Sequence, residues 1–257
     1  GLGAFVMAFY LNVPYIEVAF AAAIPAILYY SAVGVGIYFY ARVAKMPRIH
    51  ESVNWGLVSR VFPTFLLGIG ALTTLLLMDY TMKIAGFWAL IVAVAAPMLI
   101  QGRYRPPLRA IWDGLLDGAK TCASLGLLLA LCGPVAQTVQ STGFGVNLAN
   151  ALIISPVGQI VMLALPLVML MTLFAGAALI EAATYIILAL ALAPFLEEVG
   201  FNRMAAHMFI YYYAVFATLS PPIAITASAA CKIADCNFWD TCWHANKLAF
   251  IGLVVPF

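Results

Sequence analysis

The sequence has few charged residues. Only 9% of its 257 residues are Asp, Glu, Lys or Arg, whereas 65% are hydrophobic. A soluble domain carries about 25% charged residues, so this chain lacks the polar surface that a water-soluble fold needs. The 12 basic and 10 acidic residues are too balanced for a nucleic-acid-binding face. The composition predicts an all-α polytopic membrane protein whose main partner is the lipid bilayer.

The cysteines show no pattern typical of a metal site. Cys236 and Cys242 lie near Asp235 and His244, but this spacing fits no zinc motif. Burial inside membrane helices is the preferred interpretation. The histidine, acidic and cysteine residues also form no protease or transferase spacing. We therefore expect neither an enzyme nor a metal or other cofactor.

A polar leader is also missing. The chain opens on the apolar stretch GLGAFVMAF without a Met, and no signal peptide precedes it. We interpret the sequence as a fragment of a longer protein or as a recombined domain.

Long apolar runs predict about seven or eight membrane helices, since a span needs about 20 predominantly apolar residues. Pro25 is expected to kink the first of them. The candidate spans are residues 16–42, 62–78, 84–101, 121–137, 157–174, 179–195, 207–220 and 240–257.

Basic residues cluster before the second candidate span and after the third. Two spans joined by a short turn separate the clusters, so both clusters lie on one side of the membrane. The positive-inside bias makes that side cytoplasmic. The clusters are Arg42, Lys45, Arg48 and Arg60, then Arg103, Arg105 and Arg109.

Two further segments, residues 47–63 and 106–120, mix charged and apolar side chains. In the second segment, PPLRAIWDGLLDGAK, the apolar side chains recur at helical spacing. Both segments predict short amphipathic helices that lie on the cytoplasmic surface, and bracing of the bundle is a compatible role.

The second half of the sequence contains helix-breaking motifs. They are CGPVAQTVQSTGFG, FAGAA and TLSPPIAITAS, which begin at Cys132, Phe174 and Thr218. Proline removes a backbone donor, and in lipid the freed groups must be satisfied by protein, water or an ion. Several breaks flanked by Ser or Thr are typical of the discontinuous helices of secondary transporters.

Glu181 is an isolated acid in an apolar run that starts at Phe174. Acids at such positions are rare and are a functional hypothesis by default. Burial favours the neutral form of a carboxylic acid, so Glu181 could carry a coupling proton, or it could bind a cation directly. The alternative is a solvated residue at the mouth of a helical hairpin.

Hydroxyls and freed carbonyls at Thr218, Ser220, Pro221, Pro222 and Thr226 are candidate sodium ligands; the alternative is a simple kink whose hydroxyls bond back to their own helix.

Other polar residues near the breaks receive structural interpretations. Lys232 is expected to extend to the membrane interface, and His207 to lie near it. Three consecutive tyrosines, residues 211–213, indicate packing or an interfacial belt.

Two long stretches of the sequence carry a family resemblance. One is GAFVMAFYLNVPYIEVAFAAAIPAILYY, and the other runs from LAPFLEEVGFNRMAAHMFIYYYAVFATLSPPIAITAS through the C-terminus. They resemble the large membrane subunit of TRAP transporters, with the best match to the TAXI type. The resemblance covers nearly the whole chain in order and is to the C-terminal half of that subunit. It implies an inverted-repeat, elevator-type transporter with re-entrant hairpins.

The resemblance divides the chain into three parts. Residues 1–15 are the end of a truncated first hairpin, and residues 16–120 are spanning helices with cytoplasmic amphipathic segments. Residues 121–257 are transport-domain helices, including a second hairpin and the broken Ser-Pro-Pro helix. The implied cation and substrate site combines Gly1, Gly3, Gly176, Glu181, Thr184, Tyr185, Thr218, Ser220, Pro221, Pro222 and Thr226.

The implied function is cation-coupled uptake of small organic anions such as carboxylates across a bacterial or archaeal inner membrane. The implied partners are an extracytoplasmic solute-binding protein and a small four-helix membrane subunit, which is either separate or fused upstream. Sodium or protons would drive uptake. A passive channel or a structural membrane subunit is the alternative.

This sequence departs from the family pattern at the second hairpin tip. Relatives carry Gly-Met-Gly-x-Pro-Thr-Thr-Ala-x-Tyr, whereas this chain has GAALIEAATY from Gly176 to Tyr185. The proline is replaced by Ile180, and the two threonines by Glu181 and Ala182.

Overall fold

The computed structural model describes residues 2–46, 54–78, 80–102, 105–155, 160–177, 179, 181–220 and 224–257. Within these ranges the chain forms helices and turns and contains no β-strand. The all-α prediction is therefore confirmed for the described residues. The helices are α1 (Leu2–Leu11), α2 (Tyr15–Val43), α3 (Trp55–Leu77), α4 (Met82–Ile100), α5 (Leu108–Ser141), α6 (Phe144–Ile154), α7 (Val161–Gly176), α8 (Glu181–Glu198), α9 (Arg203–Phe216), α10 (Ile225–Ala234) and α11 (Phe238–Ala249).

Three of the described helices are long and apolar enough to cross a membrane, namely α2, α3 and α4. The bounds of α2 and α4 lie within two residues of the predicted spans, because a run of about 20 apolar side chains is a strong signal. In contrast, α3 begins seven residues before the predicted span 62–78. Large parts of the surfaces of these helices are apolar. Many of their large apolar side chains, such as Phe20, Phe65 and Trp88, are more than half exposed. In water such surfaces would aggregate, whereas in a bilayer they face acyl chains.

The chain divides into two compact units. The first comprises Gly1–Val13, Glu17–Met46 and Leu127–Phe257, and the second comprises Pro14–Ile16 and Pro47–Gly126. In the second unit α3 packs against α4, and Gly68 lies close to Ala93 across that interface. The buried Gln101 amide donates to the Thr64 hydroxyl at 2.9 Å. Small residues and a buried polar pair are typical of helix association in membranes.

The first unit is built around α8 and α9, which pack against each other. α1 and α7 pack against both of these helices, and α6 packs against α8. Its fully buried side chains include Tyr185, Leu192 and Phe195 from α8 and Tyr213 from α9. At Gly145 the backbone of α6 approaches the Leu190 carbonyl of α8 so closely that a Cβ atom would overlap it. The alanine-rich sequence of α8 permits this approach because its side chains are short.

Two predicted helix breaks occur in the structure. α7 ends at Gly176 and α8 begins at Glu181, so the FAGAA break separates two helices that pack together. After α9, a short 3-10 turn (Ala217–Leu219) precedes α10, which begins at Ile225. The Ser-Pro-Pro break therefore interrupts the chain between α9 and α10.

Other predicted breaks are wrong or displaced. α5 continues through Gly133 and Pro134 as a 34-residue helix and ends only at Ser141, where Gly143 adopts a left-handed conformation with φ 62°. The amphipathic segment 106–120 and the span 121–137 are thus parts of one helix. Likewise, the described part of segment 47–63 forms the start of α3, with Pro63 inside the helix. Such prolines leave the backbone carbonyl one turn earlier without its hydrogen-bond donor. Membrane helices tolerate this where side chains or neighbouring helices supply another donor.

Candidate functional site

A cavity of about 410 Å³ lies in the first unit beside the interrupted helices. Glu181 is half-buried in the first turn of α8 and lines this cavity. Thr218 and Thr226 line it from the two sides of the α9–α10 interruption. The structure thus brings together three of the predicted site residues that are up to 45 positions apart in sequence. The other lining residues are Ala22, Pro25, Ala26, Tyr29, Tyr30, Met208, Tyr211, Tyr212, Val215, Phe216 and Leu219.

The charge on the cavity wall comes from a single group. Glu181 is the one Asp, Glu, Lys or Arg among the described lining residues, and the rest of the wall is mostly aromatic and aliphatic. No ion pair is formed by Glu181 within the part of the chain that the structure describes. Only the partial positive charge at the N-terminal end of α8 compensates this charge within the described part of the wall, so the carboxylate is a candidate ligand for a cation.

The α9–α10 interruption presents hydroxyls and carbonyls at the cavity. The Thr226 hydroxyl donates to the Thr218 carbonyl at 3.0 Å, which joins the start of α10 to the 3-10 turn. The Thr218 hydroxyl donates back to the Val215 carbonyl at 2.8 Å. These bonds use the hydroxyl protons and leave oxygen lone pairs available as ligands.

Asn246 of α11 stabilises the same interruption, although no motif in the sequence singles it out. Its amide nitrogen donates to the Leu219 carbonyl at 3.1 Å and to the Cys242 carbonyl at 2.9 Å. Its amide oxygen accepts from the Ser220 hydroxyl at 3.2 Å. Ser220 is therefore engaged with α11 and does not line the cavity. An asparagine in the last turn of an amphipathic helix carries no local signal for such a contact.

Gly176 marks a close three-helix junction. A Cβ atom on Gly176 would lie 2.6 Å from the Ala217 Cβ and 3.3 Å from the Thr184 Cγ2. Thr184 is fully buried there. Both predicted site residues thus lie at the junction of α7, α8 and the 3-10 turn, behind the cavity wall rather than on it.

Tyr185 and His207 form a buried polar pair. The Tyr185 hydroxyl lies 2.9 Å from His207 Nδ1, and each residue is 1% exposed. The His207 side chain is buried within the protein. His207 follows the polar residues Asn202 and Arg203 by only a turn of helix, but α8 and the α1 residue Tyr10 cover its ring.

The structure describes some of the remaining predicted site residues and not others. Gly3 of α1 lies directly against the Tyr211 ring, with no room for a Cβ atom, and Tyr211 in turn lines the cavity. Gly1, Pro221 and Pro222 lie outside the described residues, as does the Lys232 side chain. The tyrosines of α9 have packing roles: the Tyr212 and Tyr213 hydroxyls donate to the Gly252 and Leu253 carbonyls, each at 2.7 Å.

Among the described residues no cluster of three or more metal-ligating His, Cys, Asp or Glu side chains occurs. Cys236 instead pairs with the Thr241 hydroxyl at 3.0 Å, and His244 Nδ1 lies 2.8 Å from the Asp240 carbonyl.

Interrupted helices that meet at a cavity, with one acid and several hydroxyls on its wall, are typical of membrane transport proteins. Residues 1–257 match the family model described as Tripartite ATP-independent periplasmic transporter, DctM component, and the chain belongs to this family. The family comprises the large permease component of TRAP transporters, which works with a solute-binding protein and a small membrane subunit, and it is not a family of enzymes. No curated protein and no solved structure is significantly similar to the chain.

Proposed function

We propose that the chain carries out cation-coupled uptake of small organic anions, with the Glu181 cavity as the place where the coupling cation and the substrate bind. The observation that carries this proposal is the convergence of Glu181, Thr218 and Thr226 on one cavity. Carboxylate, hydroxyl and carbonyl oxygens are the hard ligands that sodium binds, and the same carboxylate can bind a proton instead.

The helix ends at the cavity support both parts of the proposal. The C-terminal end of α9 and the 3-10 turn that follows it direct partial negative charge at the cavity, which favours a cation. The N-terminal end of α8 carries partial positive charge, which favours the carboxylate of an organic anion. A cation bound by Glu181 would remove the repulsion between this residue and an incoming anion. Because the cation must bind before the anion, the binding of the two ligands would be coupled.

The size of the cavity suits a small substrate. At about 410 Å³ it lies at the lower end of the range of about 300–1,000 Å³ that is typical of ligand pockets. Its aromatic wall would exclude water from a bound organic acid. The substrate would be selected largely by the extracytoplasmic solute-binding protein that delivers it.

The finer family features are part of the same proposal. We infer the TAXI type and the C-terminal half of the subunit from the residues quoted above. The hairpin break between α7 and α8 and the interrupted α9–α10 segment support an elevator-type arrangement. The location is then a bacterial or archaeal inner membrane, and the small four-helix subunit is a partner or a fused upstream region.

Uptake into proteoliposomes tests the proposal, with the purified solute-binding protein and labelled organic acids as substrates. Sodium and proton gradients are imposed separately. We expect uptake with one of the two gradients and little without either. Equal uptake in the absence of both gradients would instead identify a passive channel and contradict coupling.

Glu181→Gln tests the carboxylate. Glutamine keeps the size and the hydrogen-bonding capacity of the side chain but cannot be ionised, so gradient-driven uptake should fall by about tenfold or more. Glu198→Gln, in the last turn of the same helix and exposed, is the matched control and should leave uptake unchanged. Unaltered uptake and pH dependence in the Glu181→Gln protein would show that the carboxylate has no role in coupling and that Glu181 is a solvated residue at the hairpin.

A further inference from the structure

A second cavity, of about 370 Å³, adjoins the Glu181 cavity within the first unit. The two cavities have three lining residues in common, Pro25, Met208 and Tyr212, which form the wall between them. The second cavity lies beside the first half of α9, and the Glu181 cavity lies beside the second half. Its wall also includes Leu165 of α7, Leu196 of α8 and Phe209 of α9.

The wall between the two cavities contains one adaptable side chain. The Tyr212 hydroxyl donates to the Gly252 carbonyl at 2.7 Å, and the Tyr212 ring stacks on that of Phe216, so this residue is held in place. Pro25 is fixed within α2. Met208 is half-buried and has an unbranched side chain with several rotatable bonds. A change of the Met208 rotamer can therefore join the two cavities.

The second cavity is lined almost entirely by apolar side chains. Among its described lining residues, Asn202 and Tyr212 are the two with polar side chains, and none is Asp, Glu, Lys, Arg or His. The Asn202 side-chain oxygen accepts from the Ala205 N–H at 2.7 Å and so caps α9. Water in such a cavity has few partners, whereas an apolar group gains free energy by entering it.

The charges around the two cavities limit how many carboxylates a substrate can carry. A bound cation would neutralise Glu181, and the N-terminal end of α8 favours one further carboxylate. Neither cavity has a Lys, Arg or His among its described lining residues. A second carboxylate at the far end of an elongated substrate would therefore lie against an apolar wall without a compensating charge, which is costly.

We infer that the substrate is a monocarboxylate with an apolar tail: its carboxylate binds in the Glu181 cavity, and its tail passes Met208 into the second cavity. This inference rests on the proposed function and makes its substrate class specific. The two cavities border α9 from Met204 to Phe216, a length of about 18 Å, which accommodates an extended chain of several methylene groups.

Photo-cross-linking tests where the tail lies. The probe is octanoate with a diazirine at the end of its chain, added to the wild-type protein in lipid nanodiscs with sodium chloride. Neither a gradient nor the solute-binding protein is needed. We expect labelling within residues 201–209, identified by mass spectrometry and prevented by excess octanoate. The methyl ester of the probe, at the same concentration in the membrane, should label these residues about tenfold less. Equal labelling by the ester would identify a pocket for lipid acyl chains and overturn the inference.

A series of competing acids tests the chemical class of the substrate. Butanoate, hexanoate and octanoate are compared at equal free aqueous concentrations, and each added methylene group should raise the affinity by up to about fourfold. Octanedioate has the same chain length as octanoate but carries a second carboxylate, so it should compete about tenfold more weakly or worse. Octanedioate that competes as well as octanoate, or monocarboxylates that compete equally whatever their length, would refute the inference.

Ala21→Leu tests the second cavity directly. Ala21 lines the second cavity and not the first, whereas Ala23, on the same helix, lines neither and provides the control Ala23→Leu. The added bulk should weaken competition by octanoate several-fold and leave that by butanoate unchanged. A loss that is equal for the two acids, or equal in the two variants, would contradict the assigned position of the tail. If Ala21→Leu fails to fold, the wild-type series still decides the question.

The inference and the proposed function can fail separately. Gradient-driven uptake that favours octanedioate over octanoate would refute the monocarboxylate inference and leave the proposed function intact. Conversely, the expected cross-links and chain-length preference, combined with equal uptake in the absence of both gradients, would refute coupling and leave the inferred substrate class intact.

Discussion

At the scale of single residues, the site depends on side chains whose partners are distant in sequence. Asn246 reaches back 27 positions to the Leu219 carbonyl, and Tyr185 reaches 22 positions forward to His207. Neither contact has a local pattern, so hydropathy and spacing could not reveal it. Glu181 was predictable for the opposite reason, since an acid in an apolar run is conspicuous without knowledge of its neighbours.

Asn246→Ala should weaken the α9–α10 interruption. The change leaves the Leu219 carbonyl without its amide donor and the Ser220 hydroxyl without its acceptor. A loss of about 1–3 kcal/mol in the free energy of unfolding is expected, to be measured by denaturant titration in mild detergent.

The matched control for Asn246 is Asn150→Ala in α6. Asn150 is exposed, and alanine there should change stability by less than about 0.5 kcal/mol. Equal effects of the two changes would mean that Asn246 does not stabilise the interruption.

At the scale of elements, apolar runs predicted where the helices are but not where they are continuous. The span 16–42 corresponds to α2, and 84–101 to α4, within two residues at each end. The expected break at Gly133-Pro134 does not occur because one internal proline removes only one backbone bond, which a membrane helix can tolerate. The short helices α6 and α10 were not predicted, since 11 and 10 residues are too few for a span.

Gly176→Ala should destabilise the packing of α7 against the 3-10 turn beside the hairpin break. The added methyl group would lie 2.6 Å from the Ala217 Cβ, so α7 must move away from the 3-10 turn. Overpacking of this kind costs about 1–3 kcal/mol, which a lower thermal unfolding temperature in detergent would report.

The control for Gly176 is Gly86→Ala in α4, where nothing lies within 4 Å of the added atom. Alanine is the better helix former, so this variant should be as stable as the wild type or more stable by up to about 1 kcal/mol. A Gly176→Ala protein that unfolds at the wild-type temperature would show that the junction is looser than the structure indicates.

At the scale of the whole molecule, the positive-inside bias makes a prediction for the second unit. The start of α3 and the region after α4 should face the cytoplasm, and the turn between the two helices should face the other side. Single cysteines at Ser59, Tyr80 and Arg109 test this in a variant whose five native cysteines are replaced by alanine.

A membrane-impermeant maleimide should label Tyr80→Cys from outside intact cells, and should label Ser59→Cys and Arg109→Cys only after the cells are opened. These positions are exposed in the structure, so burial would not prevent labelling. Labelling of Arg109→Cys in intact cells would show that the orientation is the reverse of the one assigned here.

The length of α5 has a consequence for the surrounding lipid. Its 34 residues span about 51 Å, whereas the hydrocarbon core of a bilayer is about 30 Å thick. The charge-free portion from Thr121 to Ser141 is about 32 Å long, close to that thickness, and the four charged residues of the helix all precede it. We therefore expect Lys120 and Thr121 to lie at the depth where acyl chains give way to headgroups. In a thinner membrane, tilting of α5 would accommodate the mismatch, so bilayer thickness would act on this chain through α5.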